Sequence, residues 1–254
     1  MSEENIILEG SQLRKEFGGL VAVADVSIRV RAGELHSIIG PNGAGKTTLF
    51  NLLSGNLKPT SGTILFKGQD ITNVPLHKRV HLGIGRSFQI TNIFPNLTVL
   101  ENVRLAAQAR GSDSFKFWLN FRHFKRYADH AVEAIAQVGL VEKMHVPAVI
   151  LPHGDQRKLE LAILLASDAE ILLLDEPTAG MATEQVPQLM NMIQSIQQNT
   201  SKTIRLVEHN MNVVMNISDR ITVMHQGELL AQGTPTEITQ NETVQQAYLG
   251  ELYG

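Results

Sequence analysis

Apolar and polar residues alternate through residues 6–35, with Val26, Ile28 and Val30 on one side of the chain. A period of two puts such positions on one face of a strand, so the segment is predicted as antiparallel strands. Leu35–Ile39 is a short apolar run of strand length. A glycine-rich loop follows it, and then a helix expected to begin near Lys46. Thr63–Phe66, ending in Lys67-Gly68, predicts a strand and a turn. The pattern changes near residue 90. Thr98 and Glu101 have the spacing of a capping box and open a predicted helix that runs towards Ala109. Gly111, Ser112, Asp113 and Ser114 interrupt it, and a second helical stretch is expected from about Phe115 to Val138, ending near Gly139. Leu159–Ala166 is read as helix and Ile171–Leu174 as a buried strand, with helix, strand and helix signals continuing to Met224.

The arrangement predicts an α/β fold. Its core sheet is mainly parallel and covered on both faces, with an antiparallel β part and a helical insert at 90–158. A chain of 254 residues suits one large domain, since a single core stops growing near about 250–300 residues. With 43% hydrophobic and 19% charged residues, the chain is globular in composition. Its net charge of −3 makes no electrostatic case for binding nucleic acid. Cysteine is absent, which excludes disulfides and thiolate metal sites and fits a reducing compartment. The start, MSEENIILEG, lacks the basic and apolar regions of a signal peptide. No apolar run reaches the roughly 18 residues of a spanning helix, so any membrane role is expected to run through partner proteins.

The glycine-rich loop carries the first chemistry. Gly40, Pro41, Asn42, Gly43, Ala44, Gly45, Lys46 and Thr47, with Thr48 behind them, match G-x-x-x-x-G-K-[ST]. The glycines let backbone N–H groups curl around a phosphate, and the next helix turns its positive end to the same anion. Lys46 supplies a mobile positive charge to the β- and γ-phosphates, and Thr47 offers a hydroxyl to Mg²⁺. Kinases, GTPases and motors share this loop, so it identifies a nucleotide site and no more. A second piece narrows it. Ile171–Leu174 ends in Asp175-Glu176-Pro177. A buried strand delivers Asp175 to the carboxyl edge of the sheet, where it can hold Mg²⁺ through water. Glu176 points elsewhere and can orient or deprotonate an attacking water.

Four more segments fall in a fixed order: Arg86-Ser-Phe-Gln89, Leu151-Pro-His-Gly154-Asp155, Thr178-Ala-Gly-Met181-Ala182 and Val207-Glu-His209. Over nearly its whole length the chain resembles the ABC transporter ATPases. It is most similar to the subgroup that drives uptake of branched-chain and other hydrophobic amino acids, or of urea. Phe94–Val103, the Leu-Pro-His-Gly segment, Val207-Glu-His-Asn-Met211 and Ala247-Tyr-Leu-Gly-Glu251 carry that similarity. The resemblance implies residues 1–89 and 159–238 as nucleotide-binding core with its antiparallel part, 90–158 as helical signature subdomain and 239–254 as tail. It implies that Phe17 stacks on adenine and that Gln89 touches Mg²⁺ or water and senses the transmembrane partner. Pro152, His153, Gly154 and Asp155 then form the signature loop that caps the γ-phosphate of a second subunit's ATP, and His209 is the switch histidine at the γ-phosphate. Implied partners are permease subunits, a second ATPase subunit and, indirectly, an extracytoplasmic solute-binding protein, with the chain peripheral at the cytoplasmic face of the inner membrane.

The chain departs from the common Leu-Ser-Gly-Gly-Gln signature. Pro152 has no hydroxyl, His153 adds bulk, and Asp155 is expected to bring a repelling negative charge towards phosphate. Ala182 stands where the family usually has an acid that crosses the dimer interface. Two other functions compete. A soluble ABC ATPase acting on ribosomes or DNA usually carries tandem halves or long coiled coils, and this chain has one motif set and no sustained heptads. A P-loop kinase would leave the Leu-Pro-His-Gly segment unexplained. Finally, Phe117, Phe121 and Phe124 are spaced to share one helical face, with Lys116, Arg122, Lys125 and Arg126 around them. They read either as core of the helical part or as a docking element beside an anionic membrane surface.

Overall fold

The computed structural model describes residues 5–87, 93–109 and 121–252. Gln89, Phe117 and the interruption at 111–114 lie outside the described residues, as do the side chains of Phe121 and Phe124. In chain order the elements are β1 (Ile6–Phe17), β2 (Leu20–Arg31), β3 (Leu35–Ile39), α1 (Lys46–Ser54), β4 (Ser61–Phe66), β5 (Gln69–Asp70), α2 (Leu76–Leu82) and β6 (Ile84–Arg86). There follow α3 (Val99–Ala109), α4 (Phe121–Gln137), α5 (His153–Ala166), β7 (Ile171–Asp175), α6 (Val186–Thr200), β8 (Thr203–Val207) and α7 (Met211–Ile217). The chain closes with β9 (Arg220–His225), β10 (Glu228–Gly233), α8 (Pro235–Thr239) and α9 (Glu242–Leu252).

The described strands make two sheets. The alternating N-terminal segment forms the antiparallel one, ordered β2-β1-β4-β5. The other, ordered β10-β9-β3-β8-β7-β6, is parallel except for its edge strand β10. Strands β3, β7 and β8 are buried at every position. Alternate residues of β7 explain why. Leu172 and Leu174 pack into a core shared with α3, α4, α5 and α6, whereas Ile171 and Leu173 pack towards α1 and the antiparallel sheet. A strand covered on both faces needs the continuous apolar run that the sequence shows.

The helical part is built from local signals. Thr98 Oγ1 accepts from the Glu101 amide at 3.2 Å, and the Glu101 carboxylate accepts from the Thr98 amide at 2.9 Å, so the capping box opens α3 as expected. Helix α5 begins at His153, six residues before the predicted Leu159. Pro152 precedes it with φ −57° and ψ 154°, outside the helical region, and sets its start. The first six residues of α5, His153 to Lys158, carry no hydrophobic side chain, so hydrophobic periodicity gives no sign of them. Tyr127 is half-buried against the helical core, while Lys125 and Arg126 on α4 are exposed.

Candidate nucleotide site

The phosphate loop joins β3 to α1 and is braced from behind by backbone. A Cβ on Gly40 would lie 2.2 Å from the Met224 carbonyl oxygen, and one on Gly45 2.4 Å from that of Ala22. Gly45 also has φ +91°, in the left-handed region, so both contacts and conformation demand glycine there. The turn between β9 and β10 completes the brace: the Gly227 amide donates to Ala44 O at 3.1 Å, and the Ala24 amide to Gly227 O at 2.8 Å. Asn42 and Gly43 at the tip are exposed, Pro41, Thr47 and Thr48 half-buried, and Ala44 and Lys46 buried. The Lys46 ammonium donates to the carbonyls of Gly40 at 2.7 Å and Pro41 at 2.8 Å. It therefore lies across the loop that it belongs to.

Asp175 ends β7 with its residue surface 3% exposed. Its amide donates to Ser87 Oγ at 3.1 Å, and its carboxylate stands 3.8 Å from the Arg86 guanidinium. Arg86 in turn donates to Ser54 Oγ and stacks 4.9 Å from the Phe50 ring centre. Among the described residues neither oxygen of Asp175 has a hydrogen-bond partner. Burial pushes its pKa up to about 6, Arg86 opposing and the Glu176 charge reinforcing. The folded state thus binds a proton that the unfolded chain, with its carboxyl at the ordinary aspartate value of 3.8, does not hold. Stability from this group is full below that value and is lost as pH rises to about 6. At neutral pH the buried carboxylate is a liability that a cation would relieve. One buried acid plus the Thr47 hydroxyl suits Mg²⁺, which keeps waters and phosphate oxygens as its other ligands.

Glu176 takes a separate direction because its backbone turns left-handed, with φ +47°. That costs a non-glycine residue on the order of 1–3 kcal/mol and persists only where the surroundings impose it. Its amide donates to Val207 O at 2.9 Å. Its Oε1 lies 2.6 Å from Nε2 of His209, so the predicted base and the predicted switch histidine are brought together from the ends of two neighbouring parallel strands. Glu208, between Val207 and His209, is buried and joins the two strand ends. Its carboxylate accepts from Oγ1 and the amide of Thr178 and from the His209 amide. Sequence reasoning used Glu208 only as support for His209; an acid placed directly between a buried strand and a candidate histidine is the signal that marks it.

Phe17 ends β1 at 48% exposure, with the Lys15 ammonium 5.2 Å from its ring centre, so it is a surface aromatic with a face available for stacking. The signature turn behaves differently from one expectation. Pro152 and His153 are exposed at the tip of α5, and a Cβ on Gly154 would meet the Gln185 side chain at 3.1 Å. Asp155, expected to confront phosphate as a free negative charge, is held by Lys143 at 2.5 Å and Lys158 at 3.4 Å. Burial works against its charged form, but the two lysines prevail and its pKa is lowered. Its charge is balanced within the chain and also suits the positive end of α5.

Known proteins resemble this chain in sequence and in fold. The ABC transporter family model matches residues 23–179, and the model of the branched-chain amino acid ATP-binding cassette transporters matches residues 228–253. The chain is 41% identical over 256 aligned residues to the high-affinity branched-chain amino acid transport ATP-binding protein LivG of Salmonella typhimurium, covering 99% of this chain and 100% of that one. It is 40% identical to BraF of Pseudomonas aeruginosa, described in the same words, over 96% of this chain and 98% of the other. The crystal structure of MJ1267 in its ADP conformation, an ATP-binding cassette of an ABC transporter, superposes with a TM-score of 0.84. It shares 29% identity and covers 96% of this chain and 99% of that one. The chain belongs to the ABC transporter family, as an ATP-binding and ATP-hydrolysing subunit in its branched-chain amino-acid group.

Proposed function

We propose that this subunit hydrolyses MgATP to drive import of branched-chain amino acids, working as one of a pair docked on permease subunits at the cytoplasmic face of the membrane. The observation that carries the reading is the Glu176–His209 pair at the carboxyl edge of the sheet that also bears the phosphate loop. The relatives named above, described as branched-chain amino acid transport ATP-binding proteins, support the substrate. Among the described residues no helix is long and apolar enough to cross a membrane, so the permease supplies the path.

In this reading backbone N–H groups of the Gly40–Thr47 loop, all but that of Pro41, and the Lys46 ammonium bind the phosphates, and Phe17 stacks on adenine. Thr47 and Asp175, with Gln89, hold Mg²⁺. When bound, Mg²⁺ neutralises charge on the β- and γ-phosphate oxygens. Glu176 accepts a proton from the water whose oxygen attacks the γ-phosphorus as the bond to the bridging oxygen of ADP breaks. His209 holds Glu176 in place and offers a hydrogen bond to a γ-phosphate oxygen. Pro152, His153 and Gly154 present the positive end of α5 to the partner subunit's ATP, with Asp155 neutralised behind them. The core is formed by 1–89 and 159–238, the helical subdomain by 90–158, and the tail by 239–254.

A surface on the helical part fits the permease. Phe94, Val149 and Ile150 are exposed, at 59%, 58% and 68%. The Val149 amide donates to Pro95 O at 2.9 Å, which ties the two stretches together directly before the signature turn. Apolar groups clustered this way mark interaction sites. Introducing Val149→Asp with Ile150→Asp is expected to leave the melting temperature unchanged and to lower permease-stimulated ATP hydrolysis at least about tenfold, the effect of losing a buried interface anchor. Stimulation equal to wild type in vesicles containing the permease would remove this surface from the docking site.

A further inference from the structure

We infer that Glu208 is a positioning residue for hydrolysis: its buried carboxylate clamps the loop after Glu176 to the loop that bears His209, and so sets the contact between those two side chains. The inference rests on the proposed roles of Glu176 and His209.

Glu208 is 2% exposed. Acids are almost never so buried unless their oxygens are engaged. Here Oε1 accepts from Thr178 Oγ1 at 2.6 Å and from the Thr178 amide at 3.1 Å, and Oε2 accepts from the His209 amide at 3.2 Å. Thr178 is two residues beyond Glu176, and His209 is the next residue along. One carboxylate therefore spans the two segments whose side chains meet at 2.6 Å. The Glu208 amide points back to Ile38 O, two residues before the phosphate loop. This is a junction of two loops with the strand that leads into the phosphate loop, all around the place where water must be aimed at phosphorus. The left-handed backbone of Glu176 needs such support. Val207 O holds its amide from one side, and the Glu208–Thr178 link holds the following turn from the other. Without the carboxylate, Thr178 loses both bonds and the Glu176 turn is free to relax away from His209.

The test is steady-state hydrolysis by the complete chain, with ATP affinity measured separately. Glu208→Ala is expected to lower kcat by about 10–100-fold, the scale of a misplacement near 1 Å, with KM for ATP within about threefold of wild type. Thr178→Val, which removes the hydroxyl and keeps the shape, lowers kcat in the same sense, and the double variant is no worse than Glu208→Ala alone. In a Glu176→Gln background, Glu208→Ala adds no further loss. A merely structural role would instead reduce ATP affinity and melting temperature and would add its loss to that of Glu176→Gln. If Glu208→Ala does not fold, Glu208→Gln serves. It keeps an acceptor for Thr178, sets an N–H against the His209 amide, and should fold with a smaller kcat loss at unchanged KM. Wild-type kcat in Glu208→Ala or Glu208→Gln, or losses additive with Glu176→Gln, overturns the inference. Normal turnover by Glu176→Gln alone would instead overturn the reading on which it rests, so the two failures are distinguishable.

Discussion

Glu176→Gln is expected to keep ATP binding and to slow turnover by on the order of 10²–10⁴, the range for loss of a general base. The amide preserves shape and, through its oxygen, the approach to His209 Nε2 at 2.6 Å. It cannot take a proton from water. The phosphate loop does not depend on this side chain, since its brace comes from Ala22, Met224 and Gly227. Bound ATP should accordingly accumulate uncleaved. Phosphate release and nucleotide occupancy, measured on the same purified sample, check both halves. Release at near the wild-type rate would remove Glu176 from the chemistry.

Arg79→Met is expected to destabilise the fold by about 3–5 kcal/mol, since each buried carbonyl left without its donor costs about 1–3 kcal/mol. Arg79 is wholly buried, and burial draws its pKa down to about 10. Its guanidinium donates to Val74 O at 2.8 Å, Leu53 O at 2.8 Å and Ile71 O at 2.7 Å. Leu53 belongs to the last turn of α1, whose carbonyls have no partner within the helix. Arg79 thus caps the far end of the helix that the phosphate loop begins, and a Cβ on Gly55 would collide with it at 2.4 Å. Methionine fills much of the space but leaves the Val74 and Leu53 carbonyls without the guanidinium, while Ile71 O keeps only the Val74 amide at 2.9 Å. At roughly 2–4 °C per kcal/mol for a domain near this size, the melting temperature should fall by roughly 6–20 °C. Calorimetry within about 2 °C of wild type would show that water or backbone shifts replace the guanidinium, contrary to this account.

Those two residues illustrate what the sequence discloses. The place of Glu176 at the end of a buried strand was legible because a short apolar run ending in two acids marks the carboxyl edge of a sheet. The alternation in β1 and β2 and the Thr98–Glu101 box were legible for the same reason: their determinants are local. Arg79 was not, since an arginine in a polar stretch reads as surface and its partners come from α1 and the β5–α2 connection. The start of α5 was missed because a polar first turn has no hydrophobic period. The neutralisation of Asp155 depends on Lys143, twelve residues earlier and in another element, and the brace behind Gly40 and Gly45 depends on backbone from β2 and β9. Long-range pairings of that kind have no signature in spacing.

In the proposed function, ATP cleavage by this chain powers amino-acid import. Its most direct measurement is uptake of labelled leucine into vesicles that contain the chain with its permease and solute-binding protein, with ATP supplied on the face that the chain occupies. Accumulation is expected to require hydrolysable ATP and to be abolished by Glu176→Gln while the complex stays assembled. Accumulation at the wild-type rate with Glu176→Gln, or ATP hydrolysis by the assembled complex with no uptake of any branched-chain amino acid, would contradict that function.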